Sequence, residues 1–71
     1  MDRNPVKSSN VRSVGYDSTD LILEVEFHSG GIYHYLKVPM EIYDGLMNAP
    51  SKGKYLDKNV IKRGFAYIQI R

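Results

Sequence analysis

The stretch Leu21-Ile22-Leu23-Glu24-Val25-Glu26-Phe27-His28-Ser29-Gly30-Gly31-Ile32-Tyr33-His34-Tyr35-Leu36-Lys37-Val38 decides the fold. Its first half alternates Leu21, Leu23, Val25 and Phe27 with Ile22, Glu24, Glu26 and His28, the period of two expected of a strand with one buried face. Ser29-Gly30-Gly31 tolerates positive φ, so Ile32 to Val38 reads as the return strand of an antiparallel hairpin. A two-residue turn, at Ser29-Gly30 or at Gly30-Gly31, puts Ile32, His34, Leu36 and Val38 on the core face. Tyr33 and Tyr35 then face away, beside Glu24 and Glu26. A three-residue loop reverses the faces but sets Lys37 beside Leu23, a costly neighbour for an apolar surface, so the two-residue turn is preferred.

Before the hairpin, Val6 to Tyr16 reads as an irregular strand, because Val11 and Val14 are three apart and break the period of two. A bulge near Ser13 or Gly15 reconciles them. Asp17-Ser18-Thr19-Asp20 is a turn by composition, and residues 1–5 look loose. After the hairpin, Val38-Pro39 opens a helix to about Ala49: proline suits the first helical position, Glu41 the first turn, and Ile42, Tyr43, Leu46 and Met47 form an apolar stripe. Gly45 weakens that helix, which points to a close backbone contact or the approach of a ligand. Ser51 is an N-cap for a shorter helix over Lys52 to Val60, with Tyr55, Leu56 and Val60 on its inner side. Gly64 releases the chain into a final strand, Phe65 to Ile70, apolar on both faces and therefore buried on both sides or turned towards another subunit. The fold class is α+β: an antiparallel sheet with an N-terminal strand and hairpin, two short helices and a C-terminal strand, one domain over residues 6–71.

At 71 residues the core is thin, since a domain near this size buries only about 60% of its unfolded surface. With no cysteine, disulfides, thiolate metal sites and cysteine nucleophiles are excluded, and self-association is one way to bury more apolar area. The longest purely aliphatic run is Leu21-Ile22-Leu23 and the first five residues are polar, so neither a membrane span nor a signal peptide is expected, and a cytoplasmic location follows.

Charge is uneven along the chain. Met1 to Asn48 holds four basic and seven acidic residues, a balance of −3, whereas Ala49 to Arg71 holds six basic residues and only Asp57, a balance of +5. Such a segment attracts polyanions, although a solvated basic face is the commoner cause. Within it, Ser51-Lys52-Gly53-Lys54 combines a capping hydroxyl, unpaired backbone N–H groups and two ammonium groups, an arrangement suited to phosphate or carboxylate. Lys58, Lys62 and Arg63 extend the positive surface. The segment is too short for a nucleotide-hydrolysing phosphate loop and follows a helix rather than a strand.

Five motifs in order resemble the KTSC domain family: Ser8-Ser9, Gly15-Tyr16-Asp17, Tyr33-His34-Tyr35, Val38-Pro39 and Ser51-Lys52-Gly53-Lys54-Tyr55. The resemblance runs from about Val6 to Phe65. It implies a domain of the kind found as a C-terminal extension of some lysyl-tRNA synthetases and as stand-alone short proteins, with RNA as the suspected partner. After Tyr55 the family often carries another aromatic and an asparagine, whereas Leu56 and Asp57 follow here, so no role of that asparagine is carried over.

Tyr33 and Tyr35, alternate residues of one strand, suit stacking of successive bases or packing beneath a helix or a neighbouring subunit. Tyr67 on the last strand is a further stacking or interface candidate. His28 and His34 fall on opposite faces of adjacent strands, so no metal site is expected, and His34 reads as a hydrogen-bonded core residue. No histidine, serine or carboxylate spacing predicts a catalytic triad or acid/base pair; no cofactor or enzymatic activity is expected. The expected function is a small binding module for nucleic acid, RNA in preference. A homo-oligomer that sequesters a phosphorylated small molecule or signalling nucleotide, and a protein-interaction module, are the alternatives.

Overall fold

A computed structural model describes all residues 1–71. Strands β1 (Arg3–Pro5), β2 (Val11–Asp17), β3 (Ile22–Phe27) and β4 (Ile32–Tyr35) are followed by helices α1 (Met40–Asn48) and α2 (Lys52–Leu56). A π-helical segment (Asp57–Ile61) continues α2, and β5 (Tyr67–Gln69) ends the order. The five strands form one antiparallel sheet in the order β1-β2-β3-β4-β5, so the fold is the α+β arrangement expected. Within residues 1–5, expected to be loose, Arg3–Pro5 form β1. The register shifts between Val11 and Ser13, a bulge beside the predicted one that lets both Val11 and Val14 reach the core.

The hairpin takes none of these registers but a further one, with the loop at His28-Ser29-Gly30 and the faces reversed from the two-residue expectation. The Phe27 N–H donates to the Gly31 carbonyl and the Gly30 N–H to the Phe27 carbonyl, enclosing a three-residue loop with Gly30 at φ 103°. Leu23 therefore pairs with Tyr35 and Val25 with Tyr33, while Glu24 pairs with His34 and Glu26 with Ile32. Tyr33 and Tyr35 share the core face; His34 and Ile32 lie on the opposite face with the carboxylates. Lys37 does not come beside Leu23, because the loop begins at His28 rather than Ser29 and sets Tyr35 opposite Leu23; β4 stops there and the chain leaves the extended conformation. Lys37 adopts φ 58°, Leu21 adopts φ 56°, and the Val38 N–H donates to the Leu21 carbonyl. That local turn exposes Lys37 and returns Val38, fully buried, to the core.

The core lies between the sheet and the helices and includes Val11, Val14, Leu23, Val25, Val38, Leu46, Leu56 and Val60. Each fully buried aliphatic side chain stabilises the fold by roughly 1.5–3 kcal/mol relative to exposure. Ile42 and Leu46 fix the inner face of α1. Pro39 occupies the N-cap of α1 rather than its first helical position. Tyr16 ties this junction down, donating its hydroxyl to the Val38 carbonyl and stacking on Tyr43 at 4.9 Å. Gly45 is explained by a close contact: a Cβ there would collide with the ring and hydroxyl of Tyr55, so glycine lets α2 pack against α1. Ser51 caps α2 as predicted, its Oγ accepting the Lys54 N–H at 3.4 Å. Tyr67, Ile68 and Ile70 of the final strand are 62%, 53% and 52% exposed, so of the two expectations for it burial on both sides does not hold within one chain.

Candidate binding groove

The tyrosines of β4 gather other aromatic residues around them. Tyr33 stacks against Tyr35 with ring centres 6.2 Å apart, Phe27 meets Tyr33 edge-on at 5.7 Å, and Tyr67 tilts over both tyrosines at 5.8 and 5.9 Å. The helical layer ends above them at Ile61, and Gly64, at φ 83°, turns the chain towards β5. A groove of about 820 Å3 results, walled chiefly by Phe27, Tyr33, Tyr35, Phe65 and Tyr67. No carboxylate lines it. The Arg63 guanidinium lies 6.0 Å from the centre of the Phe65 ring, next to one wall of the groove though not part of its lining. Burial raises the Tyr35 phenol pKa, and the neighbouring Tyr33 and Tyr67 raise it further, so its hydroxyl stays a neutral donor across the physiological range. Stacking surfaces, phenolic hydroxyls and a guanidinium together suit a planar ring attached to an anion.

Glu24 and Glu26, expected beside the tyrosines, lie on the other face of the sheet. There Arg3 reaches Glu24 at 3.3 Å and Glu26 at 3.9 Å, His34 Nε2 is 2.6 Å from Glu24, and Arg71 is 3.2 Å from Glu26. Arg3 crosses over Gly15, where a Cβ would come within 2.7 Å of the Asp2 carbonyl oxygen. The Ser13 hydroxyl donates to Glu26 at 2.8 Å. This bond, then Arg3, Arg12 and Arg71, holds the Glu26 carboxyl below its usual pKa against a smaller opposing effect of burial. His34 is thus hydrogen-bonded to Glu24 on the outer face of the sheet rather than a core histidine. His28 sits in the hairpin loop, its Nε2 3.0 Å from the Ser8 carbonyl.

The Ser51-to-Lys54 segment forms a second, polar cleft of about 550 Å3 with Ser8, Ser9, Asn10 and Asp57. Two motifs far apart in the sequence meet there, but their charges are not all available. Lys52 turns its ammonium onto the Met47 and Ala49 carbonyls at 3.1 and 2.6 Å, capping the C-terminus of α1. Asn10 covers Gly53 so closely that a Cβ there would lie 2.5 Å from Asn10 Oδ1. Lys54 and Lys58 are exposed, and Lys62 makes an exposed pair with Asp57 at 3.1 Å. Sequence reasoning singled out Tyr33, Tyr35, Tyr67 and Arg63 but missed Phe27 and Phe65. Phe65, directly after the helix-ending Gly64, carried a usable signal; Phe27 had been assigned to the core by its period.

The geometry defines a small α+β domain with an aromatic surface groove beside a basic helical end, and the comparisons specify which one. The KTSC domain profile matches residues 7–65, and the chain belongs to the KTSC domain family. It is 41% identical to a KTSC domain protein from Yersinia pestis whose crystal structure superposes with a TM-score of 0.90, covering 99% of this chain and 97% of that one. An uncharacterized protein of Stutzerimonas stutzeri (strain A1501) is 40% identical over 99% of both chains. A lysine–tRNA ligase of Trichormus variabilis is 44% identical over 64 residues, which are 90% of this chain but only 11% of the ligase. No helix is long and apolar enough to cross a membrane.

Proposed function

We propose that this KTSC domain is a non-enzymatic binding module for single-stranded nucleic acid, RNA in preference. The aromatic groove carries this reading, with bases stacked on Tyr33, Tyr35 and Tyr67 and phosphates drawn to Arg63, Lys62 and Lys58. In the observed hairpin register Glu24 and Glu26 lie behind the sheet, where they do not repel a phosphate at the groove. A homologous segment within a lysine–tRNA ligase, an enzyme named for its work on tRNA, supports RNA over DNA. Lys52, Lys54, Ser51 and Gly53 stand apart as a secondary anion contact, with Lys52 committed to α1. The groove also has the size of a small-molecule site, about 300–1,000 Å3, which favours a free nucleotide as the second reading.

The test is fluorescence anisotropy with a short single-stranded RNA at low salt. Tyr67→Ala removes a stacking ring from an already exposed position, and the expected loss is about 1–3 kcal/mol of binding. With three phosphate contacts, log affinity should fall with log salt at a slope of about −2, and reversing Lys58, Lys62 and Arg63 to glutamate should remove most of that slope. Unchanged RNA binding in both variants would sink the proposal. A rise in melting temperature with mononucleotides but not oligonucleotides would transfer the groove to the second reading.

A further inference from the structure

We infer that the open edge of β5 is a self-pairing edge, through which two copies of this chain join their sheets antiparallel about Ile68. The two outer strands of the sheet are built differently. β1, Arg3-Asn4-Pro5, carries a charge and a proline, two devices that blunt an edge against pairing. β5 and its flanks, Phe65 to Ile70, carry neither charge nor proline, and Tyr67, Ile68 and Ile70 are each more than half exposed.

The backbone is oriented for this pairing. The Ala66 carbonyl accepts the Leu36 N–H at 2.8 Å and the Ile70 N–H donates to the Ile32 carbonyl at 2.7 Å, so residues 66, 68 and 70 direct their peptide groups towards β4. By the alternation of an antiparallel ladder, Tyr67 and Gln69 direct theirs to the open edge. A two-fold axis beside Ile68 sets Tyr67 opposite Gln69 of the partner subunit, and Gln69 opposite Tyr67 of the partner subunit, satisfying all four outward pairs of groups. Ile68 then meets Ile68 of the partner subunit in a close, non-hydrogen-bonded pair, a favourable contact for β-branched side chains.

The absence of charge selects a second copy rather than a different partner. A symmetric interface opposes each residue near the axis to its own kind, and a lysine or glutamate there would repel itself. Such an edge buries less than the roughly 800 Å2 per partner of a standard interface, so the dimer is weak, with a dissociation constant on the order of micromolar or above. The inference holds whatever ligand the aromatic groove takes.

Sedimentation of the full chain from about 10 μM to about 1 mM reads the association directly. The mass should rise from 8.1 kDa towards twice that value. Gln69→Pro deletes an outward N–H without removing a bond to β4, and it should weaken association at least tenfold while the circular dichroism is retained. Amide exchange in the unmodified protein gives an independent reading: Tyr67 and Gln69 should gain protection as concentration rises, while Ile68 should not change. A monomer at every concentration, a Gln69→Pro dimer as tight as the parent, or concentration-dependent protection elsewhere but not at residues 67 and 69 overturns the inference. Should Gln69→Pro lose its fold, the exchange pattern decides.

Discussion

On β3 and β4, side chains one residue apart meet opposite environments. Leu23, Val25, Tyr33 and Tyr35 face the helices; Glu24, Glu26, Ile32 and His34 face outward from the same backbone. The helix-covered face is nevertheless the one that opens, because the helical layer runs out at Ile61 and leaves the aromatic rings half roofed. The face without helices closes itself: Arg3 lies across Gly15, and the side chains of Glu24 and Glu26 are only 14% exposed. A binding surface is therefore found where the packing layer ends, and charge pairs laid flat over small residues can cover a sheet that no helix reaches.

The sharpest way to break this comparison is to remove one side chain from each face. Leu23→Ala opens a cavity in the core and should cost about 2–5 kcal/mol. Glu24→Ala, one residue on, breaks ion pairs at a partly solvated surface and should cost no more than about 1 kcal/mol. Urea unfolding measures both. Equal losses would mean that the outer network carries as much of the fold as the core does.

Much of the fold was legible because it rests on period. The alternation of Leu23, Val25 and Phe27 defined β3, the stripe of Ile42 and Leu46 defined α1, and Ser51 marked the start of α2. The hairpin register was not legible, because it turns on where the loop starts as well as on whether it holds two residues or three, and Ser29-Gly30-Gly31 gives no sign that the loop begins at His28. Lys37 weighs only against a loop at Ser29-Gly30-Gly31; with the loop at His28-Ser29-Gly30, Tyr35 stands opposite Leu23 instead. A non-glycine residue with positive φ has no signature in composition, so the turn that exposes Lys37 and readmits Val38 could not be foreseen. The site inherited that error. Tyr33 and Tyr35 were recognised as its centre and assigned to the wrong face, while the end of the helical layer that opens the groove is a tertiary fact without local pattern.

The two faces should also separate as pH is varied, with smaller effects than the truncations. Glu26 titrates in the folded chain below its usual value of 4.5, chiefly because Ser13 donates to the carboxylate. At low pH the unfolded chain takes up this proton first. The resulting stabilisation is therefore present above pH 4.5 and is lost as pH falls through the folded-state value. Ser13→Ala should lower stability at neutral pH, and its deficit relative to the parent should shrink on acidification below pH 4.5. A deficit constant down to strongly acidic pH would assign the effect of Ser13 to packing instead.

The smallest expected effect lies at the other end of the pH scale and belongs to the helix-covered face. Burial first, and then Tyr33 and Tyr67, raise the Tyr35 phenol above its usual 10.0, so the unfolded chain ionises before the folded one. That contribution to stability is complete below pH 10.0 and is lost as pH rises towards the folded-state value. Tyr35→Phe should move the alkaline unfolding midpoint upward and leave the acid limb unchanged, whereas the pH dependence that Ser13→Ala removes lies in the acid limb. Tyr16, raised by burial and by Glu41, Asp17 and Asp44, adds to the same alkaline limb from the Tyr43 side of the core face, so Tyr35→Phe should remove only part of it. An alkaline limb unaltered by Tyr35→Phe would show that the ring is hydrated through the groove, and would make the groove wetter than its aromatic walls imply.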